Sequence, residues 1–392
     1  DRKMKFSWWW LSVVVGCDGA GLVRLDIPED VDLAARPGGD DDVVPEAFSW
    51  RKVPGRSYGE FLGPSQNQHI PQYCGGCFLF AAFHTLMDRV KISRQFLDVD
   101  AYPAPDLVPA HQVFLNCGKH YGSCVEGGSA PHVWRWVRDF DGVPTTTCQP
   151  YLARPEATCS PANVCRNCMP SPGTAWAEKQ EHSCWAVDDV GHGCEGDNFC
   201  ATNAFPTIAV DDFGVVAPLS DRAMRREIAK FGPIACNVDA SVLTKYRSGI
   251  AVDLPKGRTA NDTDHVIELV GYGEEDGVKF WEFRNSWGEY WGDLGFGKIR
   301  RGQNDLLVES ACFWVEPAGW GVPNSNQWQQ YFPPPQKKDT GDLVFRGTTT
   351  TGGGFFSSLG FFFAKHVHLV AGVGLVVVGL VGLVGLARTS AT

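Results

Sequence analysis

Apolar side chains occupy nine of the thirteen positions from 78 to 90 and leave little of a polar face. A run that is apolar on all sides predicts a helix buried at the centre of a domain. Residues 130–139 place Val133, Trp134, Trp136 and Val137 at helical spacing and predict a second helix. Residues 219–231 predict a third, stopped by Gly232-Pro233. Apolar positions then alternate or bunch at 234–238, 266–272, 279–284 and 296–300, as strands do. Helices come mainly first and strands mainly later, which predicts an α+β fold with a cleft between two halves. Between them, 148–200 is rich in Cys, Pro and Asn with little sustained period, so it reads as loops held by disulfides.

The two ends are patterned differently. Arg2, Lys3 and Lys5 precede an apolar stretch at 8–15 and then the small residues Gly16 and Gly19. That is the layout of a signal peptide, assigned to 1–20. The acidic, Gly-rich 21–43 reads as a short propeptide, followed by the main domain at 44–318. Pro, Thr and Gly dominate a linker at 319–364. Residues 369–387 carry no charge, and 365–392 are assigned to a transmembrane helix and short tail. A lipid-anchor signal with Ser357 or Ser358 as the attachment site is the competing reading. With a cleaved signal, the main domain would be lumenal or extracellular. It would lie in the secretory pathway, on a lysosomal, endosomal or cell-surface membrane, with the lipid bilayer as a partner of the C-terminal helix.

Composition narrows the function. The net charge of −10, without a Lys/Arg run, excludes a nucleic-acid binder. Fourteen cysteines indicate an oxidising compartment. Cys165 and Cys168 have metal-ligand spacing, but no second such pair accompanies them, so neither a metal nor a cofactor is expected.

Candidate chemistry begins at Cys74-Gly75-Gly76-Cys77, directly before the apolar helix. A thiol at a helix start sits where backbone N–H groups and the helix dipole favour the thiolate. Downstream come Asp264-His265 and then Asn285-Ser286-Trp287-Gly288. Cys, His and Asn-Ser-Trp-Gly in this order resemble the papain family of cysteine peptidases, over roughly 44–315. Phe78 and Gly76 depart from that family's signature, which allows Trp or Tyr after the nucleophile and Ser or Ala before it. His265 also lies farther from Cys77 than the family's roughly 130–150 residues, with the extra sequence assigned to 168–205.

The resemblance implies a two-lobed fold, a helical lobe and a β-barrel-like lobe with the active-site cleft between them. It implies Cys77 as nucleophile, His265 as acid and base, Asn285 as the group orienting the ring, and Gln68 as an oxyanion donor. The insertion His69-Ile70-Pro71-Gln72-Tyr73 resembles a carboxypeptidase branch of the family. On that branch His69 would receive a substrate's C-terminal carboxylate, with Tyr73 and Trp287 lining the same primed side. Gly127 and Gly128 resemble the glycine pair that binds an extended peptide backbone, although Val125 looks like a one-residue addition before them.

Peptides or proteins would be the substrates, cleaved at acidic pH through a thioacyl intermediate. An endopeptidase, or a weak or inactive binding protein on the same fold, are the alternatives. The implied disulfides are Cys74–Cys124, Cys117–Cys159, Cys148–Cys165, Cys168–Cys184 and Cys236–Cys312, with Cys194 and Cys200 as an extra staple. This count leaves Cys77 free and Cys17 unassigned. Relatives on this branch can cap the nucleophile with a propeptide cysteine, a role open to Cys17 only if it survives signal cleavage. Asn261-Asp262-Thr263 is a glycosylation sequon with Asn261 as acceptor.

Overall fold

Helix α1 (Cys77–Leu97) is the axis of the fold. The computed structural model describes residues 43–97, 106–154, 159–167, 200–201 and 205–321, with the strand pairs 13–14 and 24–25. Every side chain of α1 from Cys77 to Ile92 is buried, the apolar majority and the few polar residues alike. Each fully buried Leu or Phe of this kind contributes about 1.5–3 kcal/mol. Thr85, Asp88, Arg89 and Lys91, polar residues buried inside α1, are compensated by bonds. Arg89 donates to Pro233 O, Val315 O, Gly232 O and the Glu227 carboxylate.

Helices α2 (His111–Cys117) and α3 (Ala130–Asp139) pack against α1. Trp134 Nε1 of α3 donates to Ala82 O of α1 at 2.9 Å. Between the two lie strands β1 (Gly122–Ser123) and β2 (Gly127–Gly128), which pair antiparallel. This half has one apolar core, built on Phe78, Phe83, Leu86, Phe114 and Trp134.

The second half is mostly sheet. Strands β3 (Thr207–Val216), β4 (Ile234–Val238), β5 (His265–Glu275), β6 (Val278–Arg284), β7 (Phe296–Arg300) and β8 (Cys312–Gly321) are joined in the order β7–β6–β5–β4–β8–β3. Neighbours in that order are antiparallel. A separate apolar core lies here, around Trp281, Phe283, Ile299 and Trp314. The central strands divide their faces between the cores. On β4, Ala235 joins the helical core while Ile234, Cys236 and Val238 join the sheet core. On β5, Val266 goes to the first and Ile267 and Leu269 to the second. This is the period of two expected of strands sandwiched between layers.

Helix α4 (Asp221–Phe231) starts two residues later than its sequence pattern predicts. Leu219 has φ +57, outside the helical region, and Ser220 caps the helix by accepting from Ala223 N–H at 3.3 Å. β3 and β8 were not read from the sequence as strands. The Asp211-Asp212 pair interrupts one pattern, and Pro317 and Gly319 interrupt the other, where the pairing register shifts.

Disulfides join Cys74 to Cys124, Cys117 to Cys159, Cys148 to Cys165 and Cys236 to Cys312. The suggested Cys168–Cys184 and Cys194–Cys200 pairs fall on side chains outside those described. Among the described residues no helix is long and apolar enough to cross a membrane. The expected span at 369–387 lies outside the described residues, as does most of 1–42; of the linker expected at 319–364, residues 319–321 instead end β8, and the rest lies outside the described residues.

Candidate active site

Three elements each deliver one member of the expected triad. Cys77 is the first residue of α1, His265 the first of β5, and Asn285 directly follows β6. Backbone bonds define the helix start: Leu79 N–H and Phe80 N–H both reach Gly76 O. Gly75 N–H donates to Cys124 O at 2.8 Å, beside the Cys74–Cys124 bridge. The turn that carries Cys77 is thereby fastened to the β1–β2 hairpin.

His265 Nε2 lies 2.8 Å from Asn285 Oδ1. A carboxamide oxygen only accepts, so Nε2 carries the proton and Nδ1 is the basic nitrogen of the neutral ring. Asn285 Oδ1 also accepts from Ser286 N–H at 2.8 Å, which holds the amide in that orientation. The Trp287 ring lies 4.9 Å from the imidazole, tilted by 35°, and shields this pair. His265 and Asn285 are both buried.

Gln68 connects the two halves. Its Nε2 donates to Cys74 O at 3.0 Å, and its Oε1 accepts from Ser286 Oγ at 2.6 Å. Its backbone N–H donates to Ser286 O at 2.8 Å. One of the two Nε2 protons is thus used, leaving the second for a ligand. Tyr151, which sequence reasoning missed, donates to Gln68 O at 2.8 Å. Nothing in its local pattern marks it, because the contact spans 83 residues.

His69 is half-buried at the start of the insertion. Its N–H donates to Asn67 Oδ1 at 2.9 Å, and its ring stacks on Tyr73 at 4.9 Å and 10°. Asn67 in turn bridges to Trp287. The insertion therefore begins on backbone held to the Asn285–Trp287 segment. Ile70 and Tyr73 are exposed.

Gly127 and Gly128 form β2, and the extra residue Val125 sits on the turn before them, 83% exposed. Ser123 Oγ accepts from the N–H groups of Val125 and Glu126, so the turn absorbs the addition and the strand register survives. Phe78 explains why position 128 is bare. A Cβ on Gly128 would lie 2.4 Å from the Phe78 ring. Gly128→Ala is expected to lower stability by about 1–3 kcal/mol through overpacking. A denaturant midpoint measures this, and adding Phe78→Leu should recover part of the loss. At Gly76 a Cβ would meet Cys74 Sγ at 3.3 Å and Tyr151 Oη at 3.6 Å, so the missing side chain is matched to a narrow space.

The expectation that Cys77 is free needs correction. Cys77 is disulfide-bonded. A disulfide sulfur is not a thiolate, so this is a blocked form, and a thiol–disulfide exchange must precede any attack by Cys77. Without reductant, an alkylating reagent should leave Cys77 unlabelled. Mild reduction should expose it, and peptide mapping by mass spectrometry reads the result. Labelling of the unreduced protein at Cys77 would contradict the blocked form.

Asn261 is exposed on a single 3-10 turn, Ala260–Asp262, while the Thr263 hydroxyl is turned inward to Ala260 O. Among the described residues no group of three or more His, Cys, Asp or Glu is placed to hold a metal ion.

The family model for papain family cysteine proteases matches residues 44–315. The chain belongs to the papain family of cysteine peptidases. It is 33% identical over 286 residues to cathepsin Z of Onchocerca volvulus, covering 70% of this chain and 79% of that protein. It is 26% identical over 276 residues to fruit bromelain of Ananas comosus, covering 70% of this chain and 58% of the relative's length. The fold is similar to that of digestive procathepsin L 3 of Tenebrio molitor larval midgut. There the TM-score is 0.51 at 16% identity, with 73% of this chain and 74% of the other covered. Membership gives the papain-like α+β fold and a cysteine peptidase class whose substrates are peptides or proteins.

Proposed function

We propose that this papain-family protein is a carboxypeptidase that removes residues from the C-termini of peptides and proteins in acid. The observation that carries the reading is the seat of His69. It is anchored through Asn67 to the Trp287 backbone, directly after Gln68, and its ring is held flat against Tyr73. A protonated imidazole at that place gives a substrate carboxylate a charge-assisted partner. The likeness to the Onchocerca volvulus cathepsin Z supports the same reading.

The chemistry follows from the site's donors and acceptors. After reduction, His265 Nδ1 takes the Cys77 thiol proton, and the imidazolium keeps its Nε2–H on Asn285 Oδ1. The thiolate attacks the scissile carbonyl carbon. The developing oxyanion is met by the Cys77 backbone N–H and the unused Gln68 Nε2 proton. Collapse breaks the C–N bond, and the imidazolium protonates the departing amine. Water, deprotonated by His265, then hydrolyses the thioester and returns Cys77 as a thiol.

The pairing with His69 requires a charged imidazole, so activity should favour pH below the ordinary histidine pKa of about 6.5. A lumenal or extracellular location, with the C-terminal apolar segment in a membrane, fits the cysteine usage and completes the proposal. Mass analysis of products from one peptide with a free and with an amidated C-terminus tests it. Stepwise loss of single residues from the free peptide alone is expected. Equal cleavage of both peptides would instead establish an endopeptidase.

A further inference from the structure

Below the triad lies a second set of three residues that the peptide chemistry does not use. Asp88 is on α1, Glu268 on β5 and Arg284 ends β6. All three side chains have 0% exposure. Arg284 Nη2 lies 2.6 Å from Asp88 Oδ2 and 2.7 Å from Glu268 Oε2, and Arg284 Nε donates to Glu268 Oε2 at 2.9 Å. Glu268 and Arg284 are directly opposed across the β5–β6 ladder. Gly63 closes the cluster, with its N–H on Asp88 Oδ1 and its carbonyl accepting from Arg284 Nη1, both at 2.8 Å.

The placement repeats that of the site above. α1 carries both Cys77 and Asp88, eleven residues or about three turns apart and therefore on one face. β5 carries both His265 and Glu268, and Arg284 is the residue before Asn285. We propose that Asp88, Glu268 and Arg284 are positioning residues that fix the relative placement of the nucleophile, the imidazole and the carboxamide. Every catalytic element is tied to the other two through one guanidinium.

The cluster carries at most one ionised carboxylate. Two carboxylates facing one guanidinium would leave a net negative charge in a dry junction, at a cost of several kcal/mol. Burial raises the Glu268 carboxyl well above its usual range against the pull of Arg284, and Asp88 pushes it further. Burial raises Asp88 to about 6, opposed chiefly by Arg284. Glu268 therefore holds the proton when Asp88 ionises, and Arg284 with Asp88 completes a neutral set.

The other titratable groups facing this set are His84 and Lys91 on α1, with His111 on α2 behind His84. Lys91 Nζ is held by Leu62 O and Asp106. Burial pushes both histidines down, His84 helped by Arg284 and His111 to about 3, so they stay neutral while the carboxyls titrate. The signs oppose one another. The raised Asp88 contributes stability that is complete below its ordinary 3.8 and lost as pH rises through about 6. The two lowered histidines contribute stability that is complete above their ordinary 6.5 and lost as pH falls toward their depressed values.

The test uses the full-length chain after reduction and compares Asp88→Asn, Glu268→Gln and the double variant. Cys77 alkylation rate, kcat and KM are followed against pH, with near-UV circular dichroism monitoring the fold. Each single variant keeps one carboxyl group beside Arg284 and should lose less than about fivefold in kcat at pH 5. The double variant should lose at least tenfold in kcat and in alkylation rate, with KM within twofold. Glu268→Gln cannot lose the buried proton, so its alkaline limb should move up by half a pH unit or more.

An alkaline limb identical to wild type in Glu268→Gln overturns the proposal, even where the double variant fails to fold. A folded double variant no slower than the singles overturns it too. The inference rests on the Cys77 reaction and not on exopeptidase preference. Equal cleavage of amidated peptides would defeat the carboxypeptidase reading while leaving the alkylation comparison intact.

Discussion

Cys77→Ala is expected to abolish hydrolysis, with a loss of roughly 10⁴–10⁶-fold in kcat, the range seen when a covalent nucleophile is removed. The comparison must be made on reduced protein, because Cys77 is disulfide-bonded in this structure. The substitution removes a side chain with 0% exposure at the start of α1, where Gly75, Gly76 and the Cys74–Cys124 bridge set the backbone independently of it. The variant should therefore keep its near-UV circular dichroism. Cys77→Ser is the sharper control. Its hydroxyl occupies similar space, yet it is a far weaker nucleophile than a thiolate paired with an imidazolium. Full hydrolysis by Cys77→Ala would place the nucleophile elsewhere and remove the peptidase chemistry assigned to this site.

The next largest effect should come from His69→Ala. A charge-assisted hydrogen bond contributes about 1.5–3 kcal/mol, which corresponds to roughly 10–150-fold in kcat/KM for peptides with a free C-terminal carboxylate. Amidated peptides lack the charge that His69 would receive, so their slow cleavage should change little. In the wild type the advantage of the free peptide should fade as pH rises through the imidazole range, because the proton on His69 is lost. In the variant that pH-dependent advantage should be gone. An unchanged preference for free carboxylates in His69→Ala would assign carboxylate recognition to another group. Because the His69 backbone is set by Asn67 and the ring lies against exposed Tyr73, the substitution removes little core packing.

Much of the fold was legible because its central elements are strongly patterned. Residues 78–90 are mostly apolar, and the helix found there is buried all round. Helix α3 and strands β4 and β7 keep the bounds that their apolar spacing implies. β3 and β8 escaped because acidic residues, Pro and Gly break their alternation, and their pairing with each other restores it across about a hundred residues. Sequence order indicated His265 and Asn285 through the Asn-Ser-Trp-Gly run. The hydrogen bond that makes them a pair, and the proton placement it dictates, required coordinates. The blocked state of Cys77 was not settled by counting cysteines, because pairing depends on which sulfurs meet in space.

By itself, the sequence determined residue types and order: a thiol before a buried helix, then a histidine, then an Asn-Ser-Trp-Gly turn, in a chain rich enough in cysteine to be built by cross-links. Those are local properties, carried by side-chain periodicity and by the chemistry of single residues. Tertiary structure alone decided the couplings. Gln68 reaches from Cys74 to Ser286, a separation of 218 residues on the far side. Arg284 reaches Asp88 across 196 residues. A buried guanidinium is tolerated only where carboxylates face it, and a buried carboxamide is satisfied only where donors and acceptors converge. That convergence is set by the packing of α1 against β5 and β6, which no stretch of neighbouring residues encodes.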